Sequence, residues 1–225
     1  CTSIKHSCRF ASFTLMAKGD YPVELDILLP FSLVNNNTSK NRLEVMPAFW
    51  WLYNMYALAR NTWKFQNRDK RKRKIQNIEF DYLAPDTVEE LLSARKLLEI
   101  WTAKASLRNK NESLENKNDD ELAKIGCKLL SDKDKVDGLE VLGENMEKSN
   151  RQTVILKPYE SYHAYSEMLY YYAVKNLLAY MNTNNCSFAD MCNALKDNCQ
   201  REWVNLGGQL IPVKDVDELR KNIGD

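Results

Sequence analysis

The sequence predicts an α+β chain, with a short strand-rich segment over residues 1–47 and a mainly helical region over residues 48–225. Three observations carry that reading. Val23-Glu-Leu-Asp-Ile27 alternates apolar and acidic side chains, the period of two that marks a strand with one wetted face. From Ala48 onward apolar residues return at helical spacing, beginning with Phe49, Leu52, Tyr53, Tyr56 and Trp63. Short polar residues then stand where helices start: Asp86 ahead of Glu89, Ser187 ahead of Asp190, and Asp215 ahead of Glu218.

Taken in order, Phe10-Ala-Ser-Phe-Thr-Leu-Met-Ala17 mixes aromatic, β-branched and small residues and reads as extended, with turn chemistry in Lys18-Gly-Asp-Tyr-Pro22. Phe31–Val34 and Leu43–Val45 are two further strands, predicted on either side of an asparagine-rich turn at Asn35–Asn37. Pro22, Pro30 and Pro47 mark strand ends or edges, because proline lacks the N–H that a ladder needs. Pro47 also suits the first turn of a helix reaching about Asn67, where that N–H would have no partner. The run Arg68-Asp-Lys-Arg-Lys-Arg-Lys74 follows, and Ile75–Phe80 reads as a short strand or an extended linker. After Pro85 a capped helix is expected, with Val88, Leu91, Leu92, Leu98 and Thr102 as its apolar stripe and its end near Leu107. Residues 108–120 read as a loop, residues 120–130 as a short helix, and the Thr-Val-Ile-Leu before Lys157 as a strand. Tyr159–Met181 is the longest helical pattern and the richest in tyrosine. A helix from Ser187 through Asn198, a hairpin turning at Gly207-Gly208, and a helix ending at Ile223 complete the chain.

Composition narrows the function classes. The chain has 225 residues, 44% hydrophobic and 28% charged, as expected of a soluble globular protein. Basic and acidic residues nearly cancel, 32 against 31, so net charge does not point to a polyanionic partner. Only 7 glycines are present, which weighs against a glycine-rich phosphate cradle. None of Cys1, Cys8, Cys127, Cys186, Cys192 and Cys199 forms a C-x-x-C pair, and neither His6 nor His163 completes a zinc pattern, so no metal is expected. Reduced thiols are the reading, with a disulfide among residues 186–199 left open. No signal peptide is visible, and the longest apolar stretch, Met168–Val174, is too short to span a bilayer. The expectation is a cytoplasmic protein without a membrane partner. A start at Cys1 instead of Met predicts a longer natural protein.

Few side chains suggest chemistry. His6 stands among Ser3, Lys5, Ser7 and Cys8, and an exposed histidine of near-neutral pKa can act as a general base. His163 reads as structural, with Glu167 one turn on to orient its ring. Arg68–Lys74 reads as a solvated helix end whose cations suit the helix dipole, and no nucleic-acid partner is expected. A sharper version lets Trp63, Phe65 and that run stack on and pair with a nucleotide. Phe49, Trp50, Trp51, Tyr53, Tyr56 and Trp63 place aromatics on more than one side of their helix, which predicts a homo-oligomer or a domain interface there, with core packing alone or a ligand platform as the alternatives.

Two long segments, Ser3 to Pro22 and Met46 to Phe65, are similar to a bacterial family of unassigned function whose members resemble hexapeptide-repeat proteins with a left-handed parallel β-helix. Phe80–Val88 and Trp203–Ile211 fit the same family. The resemblance implies the C-terminal part of such a protein: terminal coils of the β-helix over residues 1–47, then a helical domain. Ile4, Phe10 and Met16 fall six apart, as coil-facing positions would, although the glycine turns of full coils are missing. Hexapeptide acyltransferases acting on sugar nucleotides commonly use a histidine base. By that likeness His6 is the expected catalytic residue and Lys18 and Asp20 would bind substrate; the acyl donor is left open, with acyl-CoA one candidate. The alternative expectation is a non-catalytic oligomerisation or regulatory module centred on the aromatic helix.

Overall fold

The computed structural model describes residues 1–113, 117–196 and 202–224 and shows a mixed α+β protein. It opens with three two-residue strands, β1 (Arg9–Phe10), β2 (Leu15–Met16) and β3 (Asp26–Ile27), followed by β4 (Leu33–Asn37). β1 pairs in parallel with β3 and β2 with β4, and an isolated parallel bridge joins Ser3 to Asp20. Paired stations at Ser3, Arg9 and Leu15 therefore lie six residues apart, and each meets a residue 17 or 18 further along. Residues 3–34 thus make two successive turns of chain, stacked edge to edge. The amides of Arg9, Ala11, Leu15 and Ala17 donate to the carbonyls of Leu25, Ile27, Ser32 and Val34, each at 2.8 Å.

The corners repeat with the strands. Phe13 and Phe31 both take left-handed backbone angles (φ 58° and 56°), and their rings stack at 4.8 Å. Thr14 Oγ1 donates to the Ala11 carbonyl at 2.8 Å, and Ser32 Oγ donates to the Leu29 carbonyl at 2.6 Å. A non-glycine residue at positive φ costs of order 1 kcal/mol, which the stacked rings and hydroxyl bonds offset. Tyr21, Leu25, Ile27, Leu29, Phe31 and Val34 of the second turn are buried, whereas the first turn is half-covered or exposed.

Every side of the second turn is closed on its far edge. β5 (Arg42–Met46) pairs antiparallel with β4. The Asp26 amide donates to the Met146 carbonyl at 2.9 Å and the Lys148 amide to the Glu24 carbonyl at 3.0 Å, while Asn36 Nδ2 reaches the Asp20 carbonyl at 2.6 Å. The asparagines expected to form a turn lie in β4 instead. Asn35 and Asn37 donate across the ladder to Glu44 at 3.2 and 2.9 Å, which holds them extended, and the reversal falls at residues 38–41.

The single helix expected after Pro47 is two, α1 (Phe49–Tyr53) and α2 (Met55–Arg68), broken at Asn54, whose φ of −148° is not helical. Trp50 is tied down, its indole N–H donating to the Phe13 carbonyl at 2.8 Å. α3 (Pro85–Asn109) starts where expected but without the Asp86–Glu89 capping box. There the Ala84 amide donates to Thr87 Oγ1 at 2.9 Å, and Glu89 instead accepts from the amides of Glu202 and Trp203 at 2.6 and 3.1 Å. α4 (Asp119–Leu129) carries an Asn118–Glu121 capping box and is followed by α5 (Lys133–Val136). β6 (Leu142–Gly143) and β7 (Thr153–Ile155) complete a five-stranded sheet of order β2-β4-β5-β7-β6. α6 (Pro158–Asn184) follows, and α7 (Phe188–Ala194) is capped by Ser187 and Asp190 as predicted. α7 stops at Ala194, short of the expected end at Asn198, with Leu195 as its C-cap; residues 197–199, Cys199 among them, lie outside the described residues. β8 (Trp203–Leu206) and β9 (Gln209–Pro212) form the predicted hairpin, with Gly207 and Gly208 at φ 63° and 90°, and α8 (Val213–Gly224) ends the chain.

The chain divides into two compact units, Cys1–Ala57 with Glu90–Ser166 and Leu58–Glu89 with Glu167–Asp225. In the first unit α6 pins the second turn: the fully buried Tyr165 donates to the Pro30 carbonyl at 2.6 Å and Ser161 to the Pro47 carbonyl at 2.9 Å. In the second unit Ile75–Phe80 forms no strand; it docks on the hairpin, with the Glu79 amide donating to the Gly208 carbonyl at 2.7 Å and Phe80 stacked on Phe65 at 5.0 Å. No helix among the described residues is long and apolar enough to cross a membrane.

α3 and α4 touch backbone to backbone at Gly126, where a Cβ would stand 1.8 Å from the Glu99 carbonyl oxygen. Gly126→Ala is therefore expected to lower stability by about 1–3 kcal/mol through overpacking, against the gain that alanine brings to an ordinary helix position. An unchanged or raised melting temperature would contradict this packing.

Candidate functional site

The residues nominated by sequence are spread over the corners of the first two turns. His6 is exposed on the turn between Ser3 and β1, and Lys18 and Asp20 are exposed on the stretch leading into the second turn. The Ser3 hydroxyl donates to the Asp20 carboxylate. Glu24 lies within electrostatic reach of His6. Hydrogen bonds from Lys148 and then Ser7 hold its carboxyl below the ordinary range, and His6 adds a smaller pull. Among the described residues no hydrogen bond or ion pair joins His6 to Lys18 or Asp20, and no group of three or more His, Cys, Asp or Glu is placed to hold a metal ion.

A denser set of polar groups, not foreseen from sequence, lies between α3 and α4. A cleft of about 520 Å³ is lined by Leu92, Arg95, Lys96 and Glu99 on α3 and by Asp120, Ala123, Lys124 and Cys127 on α4. The close approach at Gly126 is what brings these two helices near enough to share side chains. Tyr162 of α6, itself buried, joins them: Arg95 Nη2 donates to its hydroxyl at 2.7 Å, and the hydroxyl donates to Glu99 Oε1 at 2.8 Å. The Arg95 guanidinium also lies 4.6 Å from the centre of the Tyr162 ring, and the Cys127 sulfur lies 3.7 Å from the hydroxyl. At the side of the cleft Lys96 pairs with Asp120 at 2.7 Å.

Burial raises the Tyr162 hydroxyl above its ordinary pKa, with Glu99 and Cys127 pushing the same way and Arg95 opposing. The hydroxyl therefore stays protonated as a fixed relay between cation and carboxylate and is no base. Arg95, Lys96 and Lys124 are the cations lining this cleft, and Arg95 Nε is buried without a hydrogen-bond partner. One signal for the cluster was present in sequence: Arg95 and Glu99 are one helical turn apart. Tyr162 and Cys127 join only through folding. His163 Nε2 lies 2.9 Å from the Leu130 carbonyl, and the Tyr159 ring lies 4.4 Å from the imidazole.

The fold and these sites define a mixed α+β protein with no metal cluster among its described residues. A protein of Treponema pallidum (strain Nichols), described as uncharacterized, is 40% identical over 222 residues, covering 99% of this chain and 29% of the relative. The chain thus spans less than a third of the curated relative it matches. No family model matches the chain, and no solved structure matches it.

Tyr162→Phe leaves Arg95 and Glu99 without their shared hydroxyl and is expected to cost about 1–3 kcal/mol, read as a lower urea midpoint. The hydroxyl also sets a pH dependence. Its pKa is higher folded than unfolded, so its contribution is complete below pH 10, the ordinary tyrosine value, and fades as pH rises above it. The alkaline fall in melting temperature should be shallower in Tyr162→Phe than in the wild type. Equal slopes would remove the assignment.

Proposed function

We propose that this chain closes a parallel β-helix of the hexapeptide type within a longer protein: residues 3–34 supply its last two coils, and the strands and helices that follow cap the stack. The observation that carries this reading is the trio of parallel pairings six residues apart, each offset by 17 or 18 residues. Three six-residue sides make a coil of about 18 residues, the period of hexapeptide solenoids. The resemblance to hexapeptide-repeat proteins implies the left-handed form.

The two edges of the stack support the reading by their difference. The far edge meets β5, residues 146–148 and Asn36. On the near edge, strand alternation turns the amides of Phe10 and Met16 away from the second turn. A row of unpaired parallel donors and acceptors is a template for another strand, and a preceding coil of the same period is the occupant that fits. Such a coil would cover Ile4, now 49% exposed, together with the half-buried Phe10 and Met16.

Two finer readings belong to the same architecture. Acyl transfer from acyl-CoA to a sugar nucleotide, with His6 as base and Lys18 and Asp20 at the next corner, is supported by the place of His6 on the coil surface within reach of Glu24. Self-association through the aromatic helices is supported by the exposure of Tyr53, Met55 and Tyr56. The free thiols of Cys1, Cys8, Cys127, Cys186 and Cys192 favour a reducing compartment, the cytoplasm.

Hydrogen exchange tests the capping role. In this chain alone the amides of Phe10 and Met16 should exchange freely while those of Ala11 and Ala17 are protected. In the longer protein all four should be protected, and free exchange of Phe10 and Met16 there would contradict the proposal. For catalysis, His6→Ala in the longer protein should abolish acyl transfer without a large change in melting temperature, and unchanged turnover would remove that reading. For self-association, Met55→Ser with Tyr56→Ser should lower the sedimenting mass. Trp50 is a poor probe because it anchors the Phe13 corner.

A further inference from the structure

Charge is distributed far less evenly than the composition suggests. Between Leu58 and Ile75 stand eight lysines and arginines and one acid, Asp69, in a chain that carries 32 against 31. α2 contains no acidic residue at all. Arg60, Lys64 and Arg68 are four residues apart and share one side of that helix, a spacing at which like charges repel. Lys64 registers the crowding: partial burial, then Arg60 and Arg68, lower its ammonium pKa.

No counter-charge relieves the crowding. Among the described residues Arg60, Lys64, Arg68, Lys70, Lys72 and Arg73 make no ion pair. Asp69 is consumed by its own run, accepting from Arg71 Nε and Nη2 at 2.9 Å each and lying 3.4 Å from Lys74. These bonds hold the Asp69 carboxyl well below its ordinary pKa, so it remains ionised and occupied. Trp63 stands in the midst of the cations, 60% exposed. The other apolar side chains of this stretch of α2 turn the opposite way: Leu58 is buried, and Phe65 stacks on Phe80.

We propose that the outer side of α2 from Arg60 to Arg68, together with the basic run to Lys74, binds single-stranded nucleic acid, with phosphates on the cations and a base stacked on Trp63. An uncompensated row of cations is stabilised by a polyanion and releases counterions when it binds one. An exposed indole among those cations adds the stacking platform that single strands use and that paired bases cannot reach. An anionic membrane is the weaker occupant. A helix lying in a lipid interface needs a broad apolar face, and here Leu58 is buried and Phe65 is already stacked on Phe80. This departs from the sequence expectation of a solvated helix end, which saw Arg68–Lys74 but not the bare row at Arg60, Lys64 and Arg68.

Fluorescence anisotropy with a labelled oligothymidylate of about 20 nucleotides, across a salt series, tests it. Wild-type affinity should fall steeply with salt and exceed that for a duplex of the same length. Replacing Arg60, Lys64 and Arg68 together by Gln should reduce the log–log salt slope by about 2, near 0.7 for each phosphate of a single strand that is no longer neutralised. Trp63→Ala should weaken binding about fivefold or more, and Trp63→Phe should restore most of it. Absence of binding at low salt, equal affinity for Trp63→Ala, or binding to phosphatidylserine vesicles without binding to the oligonucleotide would each overturn the proposal. Far-UV circular dichroism of each variant, together with the single-strand preference of the wild type, separates removal of a phosphate or base partner from unfolding of the helix.

Discussion

A two-residue strand cannot stand alone: it offers too few backbone bonds to repay the ordering of its residues, and it exists only where a second strand holds it in register. The beginning of this protein depends on that constraint. β1 and β2 persist because the chain returns 17 or 18 residues later and accepts their amides at 2.8 Å. The same return stacks Phe31 on Phe13 and puts Ser32 where Thr14 stood. Once the second turn is laid on the first, its buried side chains form the surface on which β5, residues 146–148 and α6 assemble. α3 and α4 pack backbone to backbone at Gly126, a contact that a side chain there would block.

Satisfaction of edges accounts for much of the remaining architecture. Each side of the second turn is met on its far edge by a backbone or amide partner, and buried edges are stable only on that condition. Among the described residues no strand pairs with the outer edge of the first turn, and its apolar residues are half-buried or exposed. This asymmetry, and not the identity of any single residue, is what supports the proposed role as the end of a longer solenoid. The basic stretch from Arg60 to Lys74 presents a parallel case in charge: among the described residues only Arg71 and Lys74 of its eight cations make an ion pair, both with Asp69.

The local elements with strong signals were legible in sequence. The long helices α3 and α6, the Ser187 cap and the glycine hairpin follow from periodicity, capping and turn chemistry. What misled was local propensity overridden by partners further along. Asn35 and Asn37 read as turn residues until Glu44 stands opposite them. Asp86 and Glu89 read as a capping box, yet Thr87 takes the local amide and Glu89 serves residues 202 and 203. The repeat was visible but short: Phe13-Thr-Leu-Met16 returns as Phe31-Ser-Leu-Val34, eighteen residues on, below the 20–50 residues at which repeats are usually sought. The Arg95–Tyr162–Glu99–Cys127 cluster was largely hidden, because residues from three helices meet there and only one pair is close in sequence.

The register of the first two turns underlies everything built on them, and nuclear Overhauser effects in this chain measure it directly. Backbone proximities are predicted between Ser3 and Asp20, Arg9 and Asp26, and Leu15 and Leu33, with ring proximities between Phe13 and Phe31. Effects at another offset, or an N-terminal segment that shows none over long range, would contradict that register.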